Sequence, residues 1–211
     1  MANNCFETGE NRTMRCMDTL LPVTDSPTRA RTRTAILAAA ISLLLRNPSA
    51  SLGEVADAAS VARSTLHRYF PERADLLAAL KVFADHQMVA ATGRARLSEG
   101  TAAEALVRLC HEYFDQWDTF MWSYVESFKG KDDVCAEPAL VDPDLAAVIG
   151  RGYADGTIDP LLPNAWIQQT MWAVLYSAQE YVRQGESRHT ALDLTLRTLR
   201  KVIAPSRAAV S

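Results

Sequence analysis

The sequence predicts an all-α protein, and three observations support that fold class. Apolar residues recur at spacings of three and four in almost every long segment, which is the periodicity of amphipathic helices. Proline and glycine stand mainly between these segments rather than within them. No segment alternates apolar and polar residues over the length of a half-buried strand. We therefore expect a chain made of helices joined by turns and loops.

Length and composition limit the class of protein further. A chain of 211 residues is long enough for one or two domains. It has no run of about 18 apolar residues, and its N-terminus has no apolar core of signal-peptide length, so we expect a cytoplasmic protein. Cys5, Cys16, Cys110 and Cys135 are dispersed, which predicts free thiols rather than a disulfide or metal site.

The sequence lacks the common catalytic and cofactor motifs. It has no P-loop, no dinucleotide-binding glycine motif, no H-E-x-x-H and no C-x-x-C pattern. His111 and Asp115 lie four residues apart on one predicted helix, but no third ligand or nucleophile accompanies them. The sequence therefore predicts that the protein is not an enzyme and has no metal site and no cofactor.

Charge is distributed unevenly along the chain. Residues 29–81 contain eight basic and four acidic side chains, a net charge of +4. Residues 1–28 have a net charge of −2, and the remainder of the chain has −5. A basic block on an acidic body predicts that one end of the protein meets a polyanion.

The first third of the chain predicts a disordered arm and four helices. Residues 1–28 are polar and irregular, so we expect disorder there. An Ala- and Leu-rich helix follows and ends before Pro48, and a short second helix opens with Ser51 and Glu54, a capping-box pair. A third helix lies within residues 61–70, and a long fourth helix begins near Arg73.

The remaining two thirds also predict helices. Residues 101–128 form one helix, or two helices joined near Asp118. Three further helices follow a polar loop, and the last of them ends near residue 204. We expect residues 29–81 to form the first domain, residues 82–204 the second, and residues 205–211 a flexible tail.

The stretch at residues 61–70, "VARSTLHRYF", predicts a helix with two different faces. Leu66, Tyr69 and Phe70 share one face, and Ser64, His67 and Arg68 fall largely on the other. Two short helices joined by a tight turn, the second with a basic outer face, are typical of a helix-turn-helix that enters the DNA major groove. The alternative is an ordinary amphipathic helix with a solvated polar face.

The block from Arg31 to Leu80 resembles the DNA-binding domain of the TetR family of transcriptional repressors. The family pattern V-x-x-x-T-L-x-x-Y-F-x-x-[KR]-x-x-L-[LF] is present as Val61, Thr65, Leu66, Tyr69, Phe70, Arg73, Leu76 and Leu77. Beyond residue 80 the resemblance is only one of layout. It implies a ligand-responsive repressor that binds double-stranded operator DNA as a homodimer and is released by a small apolar aromatic effector. The alternative is a helical small-molecule-binding or adaptor protein without specific DNA binding.

The resemblance also implies which side chains contact DNA: Ser51, Arg63, Ser64, Thr65, His67, Arg68 and Arg73. Of these, His67 and Arg73 are expected on phosphates and the residues of the third helix on base edges or nearby phosphates. Arg29, Arg31 and Arg33 either contact the DNA or form a solvated arm. Three positions depart from the family pattern, with Ser60 in place of glycine, Ala62 in place of a Ser or Thr cap, and His67 in place of tyrosine.

Aromatic residues crowd one segment of the second domain. Residues 110–128 contain seven aromatic and four acidic side chains but no Lys or Arg. In a TetR-like protein this segment would line an effector pocket, and the acids suggest a cationic aromatic ligand. The expected lining residues are Tyr113, Trp117, Phe120, Met121, Tyr124, Trp166, Gln169, Trp172 and Tyr176. The alternative is that the aromatics are core and the acids a solvated face.

The last two helices are expected to form the homodimer interface. An apolar stripe runs along the final helix at spacings of four, three and four residues, and it either meets a partner or packs in the subunit's own core. The residues predicted to meet a partner are Val174, Ala178, Leu192, Leu196, Leu199 and Ile203.

Overall fold

A computed structural model of the chain describes residues 26–128 and 142–205, and within these ranges it contains α-helices and no strand. The predicted all-α class is therefore confirmed. None of the helices described is long and apolar enough to cross a membrane. In chain order they are α1 Pro27–Arg46, α2 Leu52–Ala58, α3 Arg63–Tyr69, α4 Arg73–Ala95, α5 Ala102–Asp115, α6 Trp117–Phe128, α7 Pro143–Ala154, α8 Asn164–Arg183 and α9 Arg188–Ile203.

Helix α1 begins two residues before the predicted boundary of the N-terminal arm. Ser26 is its N-cap and accepts a hydrogen bond from the Arg29 amide at 3.4 Å, and Pro27 occupies the first helical position. Proline suits that position because its missing N–H would have no partner there and its φ is already helical. Residues 1–25 and 206–211, which contain most of the predicted arm and tail, lie outside the described residues.

The turn between α2 and α3 contains a residue, Ser60, in a strained backbone conformation. Ser60 adopts φ 54°, in the left-handed region where a side chain is strained. Ala62 precedes α3 and offers no side-chain cap, whereas Ser51 and Glu54 form the predicted capping box on α2. The departures from the family pattern at residues 60 and 62 therefore correspond to a strained turn residue and to a helix without a side-chain cap.

Two hydrophobic cores share helix α4. Leu76, Leu80 and Ala84 pack in the N-terminal core with α1, α2 and α3, and Ala91 and Ala95 pack in the C-terminal core with α5, α7, α8 and α9. The change from one core to the other thus falls within α4, after the boundary predicted at residue 81.

Helix α6 connects the two cores. Helix α5 ends at Asp115, and α6 restarts at Trp117 after a break at Gln116, so the segment 101–128 is two helices. Trp117 packs against the C-terminal core, and Trp122 is buried in the N-terminal core beside residues of α1 and α4. A side chain from the second domain therefore completes the core of the first.

Candidate nucleic-acid interface and effector site

Helix α3 presents a polar face from a fixed position. Leu66 is fully buried, and Phe70, which follows the helix, is almost as deeply buried, so the helix is anchored on its apolar side. Arg63, Ser64, His67 and Arg68 are exposed, and Thr65 is half-buried. Helix α3 therefore has the predicted buried apolar face and exposed polar face.

The two arginines of α3 lie in different surroundings. Arg63, the first residue of the helix, rests against the start of α2, where a Cβ at Gly53 would lie 3.3 Å from its Nε and Cζ atoms. Arg68, in the last turn, has its guanidinium 5.8 Å from the ring centre of Tyr69. Arg63 is thus directed along α2, and Arg68 lies over the aromatic end of its own helix.

Two arginines of α1 join Arg68 at this aromatic end. The Arg29 guanidinium lies 5.5 Å from the Tyr69 ring centre, and the Arg33 guanidinium lies 5.6 Å from the Phe70 ring centre. The Tyr69 hydroxyl donates to the Arg29 carbonyl at 3.2 Å. The sequence left open whether the arginines of α1 form a free arm, and here two of them pack on α3.

Arg73, which was predicted to contact a DNA phosphate, makes hydrogen bonds within the protein. Its Nη2 donates to the Pro48 carbonyl at 2.7 Å, and its Nη1 donates to the Ala50 carbonyl. The guanidinium therefore links the start of α4 to the loop between α1 and α2. A phosphate contact by Arg73 would have to use its remaining N–H groups.

His67 and Ser51 also have protein partners. His67 Nδ1 lies 3.3 Å from the Pro71 carbonyl, which leaves Nε2 for an outside partner. The Ser51 hydroxyl donates to Glu54 Oε2 at 2.8 Å and accepts from the Glu54 amide at 3.3 Å. The Ser51 amide and hydroxyl together hold the pKa of the Glu54 carboxyl below its usual value.

Three aromatic rings from three helices form a stack in the second domain. Phe120 on α6 and Trp172 on α8 have ring centres 4.3 Å apart and planes 9° from parallel. Tyr113 on α5 lies 5.2 Å from Trp172 at 20° and 6.1 Å from Phe120 at 24°, so the three nearly parallel rings meet around a triangle of ring centres. The 110–128 segment and the helix of Trp172 therefore contact each other directly through these rings, and the effector site expected between them stays a prediction.

The other residues expected to line an effector pocket are distributed around this stack. Trp117 lies 6.4 Å from the ring of Tyr176, which is largely exposed, and Met121 is half-buried on α6. Trp166 is 57% exposed, and it lies on a different face of α8 from Trp172 because six helical residues turn through about 600°. Gln169 is exposed as well, and the side chain of Tyr124 lies outside the described part of the chain.

A glutamine that the sequence did not single out lies beside the stack. Gln168 is fully buried one turn before Trp172, its Oε1 accepts from the Asp142 amide at 2.9 Å, and its Nε2 donates to Asn164 Oδ1 at 2.8 Å. It fixes the start of α7 against α8. The signal available in the sequence was the four-residue spacing to Trp172, which places both side chains on one face.

Two acids of α5, Glu112 and Asp115, do not face the aromatic stack as unpaired charges. Glu112 pairs with Arg94 at 2.7 Å, and Asp115 pairs with Arg188 at 3.0 Å. Negative charge reaches the stack from the start of α7. Burial raises the pKa of the Tyr113 hydroxyl, and Asp142 and Asp144 raise it further, against a lowering hydrogen bond with Thr92.

One hydrogen bond joins α6 to the first helix of the DNA-binding domain. The Ser42 hydroxyl on α1 donates to Asp118 Oδ2 at 2.5 Å. Phe120 lies two residues further along α6, in the aromatic stack, and Trp122 lies two residues beyond that, in the N-terminal core. No sequence pattern connects Ser42 with Asp118, because the two residues lie 76 positions apart and only the fold brings them together.

The outer surface of α8 and α9 contains an open groove of about 290 Å³. Val174 and Ala178, both expected at the dimer interface, line it together with Leu194, Thr195 and Thr198. Leu192 and Leu196 are half-buried against the C-terminal core.

Two residues assigned to the dimer interface need correction. Leu199 and Ile203 are buried in the C-terminal core and do not line the groove, so they lie away from the surface where a partner could pack. Ala178 is also nearly buried, at 5% exposure, but it lines the groove. The apolar stripe at residues 192–203 faces inward, because α9 needs that face to pack on α5 and α8.

The fold and the exposed basic face of α3 are those of a helix-turn-helix regulator of transcription. A family model described as "Bacterial regulatory proteins, tetR family" matches residues 36–80. Over 179 residues the chain is 35% identical to the HTH-type transcriptional repressor LfrR of Mycolicibacterium smegmatis, a match that covers 84% of this chain and 93% of LfrR. The chain therefore belongs to the TetR family, and it is a transcriptional repressor rather than an enzyme.

Solved structures of LfrR from Mycobacterium smegmatis have the same fold. One superposes with a TM-score of 0.66 at 33% identity, covering 84% of this chain and 99% of the other. A second, of LfrR in complex with proflavine, gives a TM-score of 0.56 at 34% identity, covering 83% and 98%. The similarity extends over both domains of the chain.

Proposed function

We propose that this repressor binds operator DNA as a homodimer and releases it when a planar aromatic compound enters beside the stack of Phe120 and Trp172. The observation that carries the proposal is the position of α6. One face of this helix contributes Phe120 to the aromatic stack, and Asp118 and Trp122 attach it to the DNA-binding domain. A repressor acts on DNA, so we expect it in the cytoplasm.

The proposed DNA contact is made by the exposed face of α3 on the basic N-terminal domain. In a helix-turn-helix, the N-terminal residues of the second helix contact base edges in the major groove, which are Arg63, Ser64 and Thr65 here. The net charge of +4 over residues 29–81 supplies attraction to phosphate that does not depend on sequence. The fold-level alternative, an adaptor without DNA binding, leaves this exposed basic face without a role.

A homodimer follows from the geometry of operator binding. Two recognition helices must lie about 34–36 Å apart to read successive major grooves, so two copies must be held in a fixed orientation. We place the dimer contact on α8 and α9, at the apolar groove lined by Val174, Ala178 and Leu194. A surface of apolar and small polar residues there permits close helix packing between copies.

The proposed effector is a planar aromatic compound. LfrR, which is 35% identical to this protein over 84% of the chain, has been crystallised with proflavine, a flat tricyclic amine. Here the rings of Phe120, Trp172 and Tyr113 already lie nearly parallel, so a flat ligand can extend the stack or replace one of its members. The charge of Asp142 and Asp144 near Tyr113 favours a cationic compound over a neutral one.

Release is proposed to follow from movement of α6. A ligand ring that replaces Phe120 on the face of Trp172 displaces Phe120, because the two rings are in contact, and α6 moves with it. That movement would be passed on through Asp118 and Trp122 to α1 and α4. The ligand shifts the equilibrium only by its difference in affinity for the two conformations, and a coupling of about 1–3 kcal/mol would lower DNA affinity about 5- to 150-fold.

The proposal is tested with the full-length protein and a duplex selected from a random DNA library. Proflavine is titrated while DNA release and tryptophan emission are followed together. Coincident quenching and release support the proposal, and quenching without release would separate effector binding from DNA control. Failure to select any duplex would favour the adaptor without DNA binding.

A further inference from the structure

We propose that Arg29, Arg33 and Arg68, held on the rings of Tyr69 and Phe70, form a clamp for the DNA phosphate backbone and take no part in reading bases. The inference rests on the operator binding proposed above. It divides α3 into a base-reading start and a backbone-binding end. It also moves Arg68 out of the group expected to contact base edges.

The clamp connects α1 and α3 through direct contacts between their residues. The Tyr69 hydroxyl donates to the Arg29 carbonyl across 40 positions of sequence, so the first turn of α1 is fixed beside the last turn of α3. All three guanidiniums lie within 6 Å of an aromatic ring centre, the distance at which a cation is attracted to a ring face. These contacts favour the same side-chain positions in the absence of DNA.

The charges in this part of the domain favour an anion. The guanidiniums of Arg33 and Arg68 lie on two adjacent rings, and a phosphate beside them is attracted by both positive charges. Two of the four carboxylates in residues 29–81 are engaged elsewhere, since Glu54 and Asp75 accept backbone hydrogen bonds at the starts of α2 and α4. A guanidinium that lies on a ring still has N–H groups at its edge to donate to phosphate oxygens.

The position of Arg68 on α3 argues against base readout. Arg63 and Arg68 are five residues apart, so they are separated by about 140° around the helix and about 7.5 Å along it. Arg63 stands at the N-terminal end that contacts bases in a helix-turn-helix. Arg68 stands at the other end and lies over Tyr69, towards α1. Its guanidinium thus belongs with those of Arg29 and Arg33.

Tyr69 is a positioning residue in this arrangement. Its ring is half-buried against the N-terminal core, and it carries two guanidiniums as well as the hydrogen bond to α1. Tyr69→Phe retains the ring and loses only the hydroxyl. Tyr69→Leu retains an apolar side chain for the core and loses the ring face, so the two variants separate the ring's effect on charge from its effect on packing.

The experiment measures affinity for a selected operator duplex and for a scrambled duplex at several salt concentrations. We expect Arg68→Ala and Arg33→Ala to weaken both affinities by the same factor, leaving their ratio unchanged. Each should lower the slope of log affinity against log salt by about 0.9, the loss of one phosphate contact. Arg68→Lys should recover most of the slope, and Tyr69→Leu should lower it while Tyr69→Phe retains it.

Two reference variants show what loss of a base contact and loss of an unrelated arginine do to the two affinities. Arg63→Ala should lower the ratio of operator to scrambled affinity about 5- to 150-fold, as expected for a residue that reads a base. Arg183→Ala removes an exposed arginine of α8, far along the chain from the clamp, and should change neither the ratio nor the slope.

The outcomes separate the clamp from the proposed function. A loss of the operator-to-scrambled ratio in Arg68→Ala as large as in Arg63→Ala, with an unchanged salt slope, would overturn the clamp while operator binding stands. The same holds if Tyr69→Leu folds, by circular dichroism, and retains the wild-type slope. A wild-type protein that binds both duplexes equally would overturn operator binding and the clamp together.

Discussion

Ser42 on α1 and Asp118 on α6 share a hydrogen bond of 2.5 Å between Oγ and Oδ2, and this bond connects the DNA-binding domain to the helix that forms the aromatic stack. Asp118 is exposed, so the bond is accessible to substitution without opening a core. We therefore expect these two residues to influence how much effector binding lowers the affinity for DNA.

Removing this bond should weaken the response to the effector. A single hydrogen bond contributes about 1 kcal/mol net, so Ser42→Ala should reduce the ratio of DNA affinities without and with proflavine about fivefold. The measurement is operator affinity in both conditions. Thr170→Ala is the matched control, because the Thr170 hydroxyl bonds only within α8, to the Trp166 carbonyl. An unchanged ratio in Ser42→Ala would exclude this bond from the coupling.

The two tryptophans of α8 should differ in their effect on ligand binding. Trp172→Ala removes a ring from the stack and should weaken proflavine binding about tenfold or more, since stacking contributes about 0.5–1.5 kcal/mol beyond burial of area. Trp166→Ala removes an exposed ring on another face and should leave affinity unchanged. Equilibrium titration of dye fluorescence checks both, and equal losses in the two variants would contradict the assigned site.

Two leucines of α9 should respond differently to a charge. Leu194→Glu places a carboxylate at the proposed dimer contact, where Leu194 is 43% exposed, and should give a folded monomer in sedimentation velocity. Leu199→Glu buries a charge in the subunit core and should unfold the protein, because an unpaired buried charge costs several kcal/mol. A Leu194→Glu protein that remains dimeric would move the interface away from this groove.

The turn at Ser60 should gain stability from glycine. Ser60 has φ 54°, a conformation that costs a side chain about 1–2 kcal/mol and that glycine adopts freely. We expect Ser60→Gly to raise the free energy of unfolding by about 1 kcal/mol in urea titration. The neighbouring Ala59 has φ −81°, so Ala59→Gly should lower stability instead. Destabilisation by both glycines would contradict the assigned strain.

Cys110 should react slowly with thiol reagents while the protein is folded. Burial raises the pKa of its thiol to about 12, and only the thiolate is nucleophilic. The pKa is raised on folding, so this group costs no stability below the unfolded pKa and destabilises the fold as pH rises above it. A variant with Cys5, Cys16 and Cys135 replaced by serine isolates the site. Labelling at pH 8 should be slow in buffer and rapid in urea, and rapid labelling in both would contradict the burial.

The sequence by itself determined the helical class, the positions of most helices and the two faces of α3. These features depend on neighbours three and four residues away in the chain. Periodicity and capping residues such as Ser51 and Glu54 therefore predict them. The strained Ser60 and the uncapped start of α3 could be predicted for the same reason.

Periodicity also identified which residues of α9 share a face, but not what that face packs against. Leu199 and Ile203 form an apolar stripe whether a subunit core or a partner covers it, and only the packing of α5 and α8 on that side decides for the core. The exposed Leu194, which the stripe does not include, is instead at the groove.

Only the tertiary structure decided the partners of individual side chains. Arg73 reaches the carbonyls of Pro48 and Ala50, and Asp118 reaches Ser42, across distances in sequence that no periodic pattern records. The sequence alone places Arg68 on the exposed face of α3. Its position over Tyr69 and beside α1 depends on how α1 and α3 pack against each other. Local sequence fixes which way a side chain points on its own helix, and the packing of helices fixes what it meets there.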